Sequence, residues 1–88
     1  MWVYVLISSY MDVDSGDYCN SVLGVFKTLE DAKQELDNQR KWTICDFENY
    51  DYESEDTIEE DWKWSIWEKD QEMTHRCELR IELEKVKQ

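Results

Sequence analysis

Nine carboxylates lie within sixteen positions, at Asp46, Glu48, Asp51, Glu53, Glu55, Asp56, Glu59, Glu60 and Asp61, and the window holds no Lys or Arg. Paired carboxylates can move protons, but only when burial tunes their pKa values, and a run this acidic is expected on an exposed loop. Presenting negative charge asks for less. Carboxylates every two or three residues on extended or turn-like backbone lie several ångströms apart, comparable to the phosphate separation along a nucleic-acid strand. A rigid protein carrying such an array can occupy the basic groove of a DNA- or RNA-binding protein, gaining electrostatic steering and the release of ions from that groove. Phe47, Tyr50, Tyr52 and Ile58 are set among the acids. They could add the desolvated contacts that bare charge lacks, or tether the tract to its own core. A loop that only keeps a small protein soluble is the plain alternative.

The other reactive residue types are sparse. There is one histidine, His75, and no base-and-nucleophile pair is nominated, so the chain reads as a non-enzyme. Asp12-x-Asp14-x-Gly16-Asp17 is close to a calcium loop, but the glycine comes one position early and Leu23 stands where such a loop needs Glu. An Asp-rich hairpin turn is the better reading. Cys19, Cys45, Cys77 and His75 follow no zinc-ligand spacing, and Cys77 lies on an apolar face, as a small buried hydrophobe would. No cofactor or metal is expected. Trp67 is different: it points away from Trp62 and Trp64, with Lys63 and Ser65. Either Trp42, or Phe47 and Tyr50 folding back, covers it, or it anchors an interface. The expected partner-binding residues are therefore Asp46, Glu48, Tyr50, Asp51, Tyr52, Glu53, Glu55, Asp56, Glu59, Glu60, Asp61 and Trp67.

The charge is local. The 88 residues carry a formal charge of −12, yet outside the tract 13 acidic residues face 10 basic ones. Concentrated like charge works against a compact fold and needs an offsetting use. Five Trp, five Tyr and two Phe supply enough buried surface for one small domain, so the chain is not a disordered acidic tail. The odd cysteine count argues against a disulfide framework and for a reducing compartment. No signal peptide and no apolar run of membrane length is evident, and the negative charge disfavours anionic membranes and direct nucleic-acid binding. The expectation is a cytoplasmic protein.

The elements that position these residues can be read from periodicity. Trp2 to Met11 alternates with both faces apolar, a strand central in its sheet. Asp12 to Asp17 supplies a turn, and Tyr18 to Phe26 returns as a second strand. Thr28 caps a helix carrying Leu29, Ala32 and Leu36 on one stripe, with Arg40 and Lys41 near its end. Trp42 to Cys45 leads into the tract as a short strand or an anchored loop, and Ser54 or Thr57 could cap a turn over Ile58 to Asp61. Trp62, Trp64 and Ile66 form a third strand, with Trp62 and Trp64 packed on the helix; Asp70 to Thr74 turns. From His75 a fourth strand alternates Cys77, Leu79, Ile81 and Leu83 with charged residues. A helix there would leave Ile81 off its stripe. The expected fold is α+β, in ββαββ order: a four-stranded antiparallel sheet, one main helix on one face and a long acidic loop.

Trp2-Val3-Tyr4-Val5-Leu6 and Leu23-Gly24-Val25-Phe26-Lys27-Thr28-Leu29-Glu30-Asp31-Ala32 resemble a group of short uncharacterised bacterial and phage domains, over about the first 40 residues. The resemblance implies an α+β fold and a microbial or phage source, and brings no catalytic residues. Gly24 is also readable as a bulge or a close approach of helix to sheet. The resulting expectation is a phage or mobile-element inhibitor of the anti-restriction or anti-CRISPR kind, which blocks a basic nucleic-acid-binding protein. The alternative is a structural domain that self-associates, as a homodimer through a sheet face or strand edge, with the acids only solubilising.

Overall fold

A computed structural model describes residues 1–12, 17–71 and 75–86. The expected turns at Asp12–Asp17 and Asp70–Thr74 fall largely outside these residues, and with them the calcium-like spacing. The fold is α+β with an antiparallel sheet and one main helix, but the sheet has five strands, not four. They are β1 (Trp2–Asp12), β2 (Asp17–Phe26), β3 (Tyr52–Thr57), β4 (Lys63–Glu68) and β5 (His75–Lys85), ordered β2-β1-β5-β4-β3. The helices are α1 (Leu29–Asp46) and the single turn α2 (Ile58–Asp61).

The additional strand, β3, comes from the acidic tract itself. Tyr52-Glu53-Ser54-Glu55-Asp56-Thr57 pairs with β4 in the register Glu53↔Trp67, Ser54↔Ile66 and Glu55↔Ser65. The long acidic loop of the expectation is thus mostly regular structure. Low β-propensity of Glu and Asp hid it, and a neighbour's backbone overrides that preference at an edge.

Both central strands read as expected. β1 lies between β2 and β5, which explains its two apolar faces. β5 is a strand along its whole length, pairing Leu6↔Ile81, Ser8↔Leu79 and Tyr10↔Cys77. One face of the sheet carries Leu6, Trp64, Ile66, Cys77, Leu79 and Ile81 onto Ala32, Leu36 and Phe47, and these form the buried core. The opposite, open face carries Arg76, Glu78, Arg80 and Glu82, where Arg80 donates to Ser9 Oγ at 2.6 Å and to Glu82 Oε1 at 3.0 Å.

Thr28 caps α1 as read, its Oγ1 accepting from Asp31 N–H at 3.2 Å. The helix then runs past Arg40 and Lys41 through the Trp42–Cys45 stretch expected to be strand or loop. Packing explains the overrun, since Ile44 and Phe47 continue the stripe of Leu29, Ala32 and Leu36 into the core. Arg40 and Lys41 turn back instead to Asp37, which takes Arg40 Nε at 3.1 Å and Lys41 Nζ at 3.3 Å. These two cations hold the Asp37 carboxyl below the usual carboxylate range, chiefly through the hydrogen bonds from Arg40 and then Lys41.

Two local features mark where the chain bends. Between β1 and β2 the register runs Leu6↔Gly24 and then Ile7↔Val22, so Leu23 is the extra residue of a bulge. A Cβ on Gly24 would come within 2.7 Å of the Phe26 ring, so the close approach there is that ring, not the helix. Trp62, expected inside a strand, instead has φ 55° and closes α2 before β4 begins. Its ring meets Tyr4 edge-on at 5.8 Å and its carbonyl accepts from Ile81 N–H at 2.9 Å, contacts that hold this left-handed conformation in place.

Candidate functional site

Most of the acidic residues gather along one margin of the sheet, while Asp46 stands apart over β1 and β5. Asp46 ends α1, Glu48 and Asp51 lie in the turn that follows, Glu53, Glu55 and Asp56 are on β3, and Glu59, Glu60 and Asp61 are on α2. All nine are exposed. Strand β3 is the outermost, so its far backbone edge also faces outward. At a strand rise of about 3.3 Å, carboxylates two residues apart stand about 6.6 Å from one another. Glu53 and Glu55 project from the open face. Asp56 projects from the other, where its Oδ1 accepts from Ile58 N–H at 3.0 Å and begins α2. Thr57, considered as a cap, makes no side-chain cap bond and donates instead to the Lys63 carbonyl at 3.1 Å.

Two cations touch this margin. Lys33 Nζ pairs with Glu59 at 3.0 Å and Lys69 Nζ with Asp51 at 3.5 Å. Among the described residues the other seven carboxylates make no ion pair. Exposed pairs of this kind each contribute about 0–1 kcal/mol, so the negative potential is little offset.

The aromatic residues of the tract divide. Phe47 is buried and stacks on His75, their ring centres 4.6 Å apart. Tyr52 is half-buried and meets Phe47 edge-on at 6.5 Å, so both tether the tract to the core. Tyr50 remains 45% exposed beside His75 at 5.0 Å, with its outer side available to a partner. Trp67 is set apart from Tyr50 by the thickness of the sheet. It shares the open face with its register partner Glu53 and is covered by Arg76, whose guanidinium lies 4.8 Å from the ring. Trp42 does not cover it, being 71% exposed on α1.

A second cluster escaped the sequence reading. His75 Nδ1 lies 3.0 Å from Glu68 Oε2, and a cavity of about 370 Å³ is lined by Ser8, Tyr10, Thr43, Asp46, Phe47, Tyr50, His75 and Cys77. The β1–β5 and β4–β5 pairings and the packing of α1 bring these residues together; their spacing in the chain carried no signal beyond the single His. Burial pushes the Cys77 thiol up, its contact with Ser8 at 3.9 Å opposing and Asp46 and Glu78 adding to the rise. A thiol held protonated is a weak nucleophile. Cys19 and Cys45 are exposed, and among the described residues no three His, Cys, Asp or Glu converge as metal ligands would. Among the described residues no helix is long and apolar enough to cross a membrane.

Comparison of the chain with protein-family models, with curated proteins and with solved structures gave no match.

Proposed function

We propose that the chain is a non-enzymatic binding protein whose acidic margin occupies the basic groove of a DNA- or RNA-binding protein and blocks it, as counter-defence inhibitors from phage or mobile elements do. The observation that carries this reading is the exposure of all nine carboxylates, most of them on one margin, with Lys33 and Lys69 supplying their only ion pairs among the described residues. Placement on β3 and α2 supports it further. Carboxylates fixed on regular backbone bind a groove without the ordering cost a loose loop would carry. Exposed Tyr50 adds an aromatic contact at the end of the array next to Asp51.

The test is a comparative capture from nuclease-treated host lysate. The native chain is set against a variant with all nine acids changed to Asn or Gln, its fold checked by circular dichroism. The expected result is that the native chain alone retains a basic nucleic-acid-binding protein, that duplex DNA or RNA displaces it, and that retention falls steeply with salt. Equal capture by both chains, or capture indifferent to salt, sinks the proposal.

A further inference from the structure

The sheet has two edges, and their chemistry is opposite. An edge strand leaves a row of backbone N–H and C=O groups unpaired, which templates the addition of another strand unless charge or shape prevents it. At one edge, β3 carries Glu53, Glu55 and Asp56 in six residues, all exposed. At the other, β2 has no charged residue from Tyr18 to Phe26, in a chain whose formal charge is −12. Its exposed side chains are apolar where size is greatest: Val22 at 64%, Val25 at 59% and Leu23 at 38%.

We infer that β2 is a self-complementary edge through which two copies of this chain pair antiparallel, joining two five-stranded sheets into one. The charge distribution selects this pairing over the other two. Joining β3 to β3 sets carboxylates against carboxylates. Joining β3 to β2 takes Glu53 and Glu55 out of water beside Val22 and Val25, at a cost no cation on β2 repays. Joining β2 to β2 over Tyr18–Val22 opposes uncharged residues only, and a two-fold contact of this kind closes on itself. The acidic β3 edges then lie outermost and stop growth at two copies. With the two-fold perpendicular to the sheet, both α1 helices lie on one side. Val22, which shares the open face with Ile7, then lies at each end of the paired stretch, with Asn20 at its centre. The bulge at Leu23 confines regular pairing to the stretch from Tyr18 to Val22.

The inference does not depend on what the acidic margin binds. Sedimentation of the native chain from micromolar to millimolar concentration is expected to show the mass doubling. Val22→Lys adds a charge at an exposed site and is expected to weaken dimerisation at least about tenfold, whereas Glu55→Lys on the opposite edge leaves it unchanged. A monomer at every concentration, or a dimer indifferent to Val22→Lys, overturns the inference. Should Val22→Lys not fold, amide exchange in the native chain decides. Slowing at residues 19–22 that grows with concentration supports the pairing, and slowing elsewhere or nowhere overturns it.

Discussion

Trp64 is 2% exposed and sits where β4 meets α1, among Leu36, Leu79 and their neighbours. Truncation to Ala is expected to cost about 3–5 kcal/mol, a large share of the about 5–15 kcal/mol that holds a typical domain together. Urea unfolding followed by circular dichroism measures it. Cys77 gives a chemical readout of the same core. Its buried, protonated thiol is expected to escape iodoacetamide in the folded chain while Cys19 and Cys45 react, and to be modified only after denaturant is added. Because the folded thiol holds its proton where the unfolded one loses it, stability is expected to fall as pH rises through the ordinary thiol range. The burial of Cys77 was legible from its place on an alternating apolar face. The cover over Trp67 was not, because Arg76 reaches that ring only through the register of β4 against β5.

Helix and strand boundaries show why local signals end where packing begins. Thr28 announced the start of α1 because a cap acts within four residues. Thr28→Ala is expected to cost about 1 kcal/mol in urea unfolding. The helix end was hidden: Thr43 and Ile44 are weak helix formers, and only contact with the sheet carries the helix through them. Asp37, with Arg40 and Lys41, acts entirely within α1. Its folded carboxyl is held low, so its contribution is present above the ordinary Asp range and disappears as pH falls through the lowered value. Asp37→Asn is accordingly expected to lower stability slightly at neutral pH, by less than about 0.5 kcal/mol given its exposure, and not at all in strong acid. Strand β3 was the largest omission. Nothing in Glu53-Ser54-Glu55-Asp56 favours a strand on its own, and its pairing partner lies beyond α2 in the chain.

Across the whole molecule the formal charge of −12 sets solution behaviour. Repulsion along the β3 and α2 margin is little offset by Lys33 and Lys69, so added salt is expected to raise the thermal midpoint by screening it. Circular dichroism melts at low and physiological ionic strength check this, and a midpoint that falls with salt contradicts it. The overall architecture was legible in its class and in the two central strands, whose alternation is strong. The sheet's width was not, since it depends on an edge strand made of residues that propensity assigns to loops.

The strand order also bears on how fast the molecule can form. β1 finds one partner, β2, across a single hairpin, but Leu6 meets Ile81 across 75 positions of chain. Contacts that distant require a costly closure before they return any stabilisation, which makes folding slow for the size of the domain. During synthesis β1 therefore waits with one flank bare until β5 emerges. The interval leaves the apolar Trp2-to-Ile7 segment open to wrong pairing, and holdase chaperones would act there.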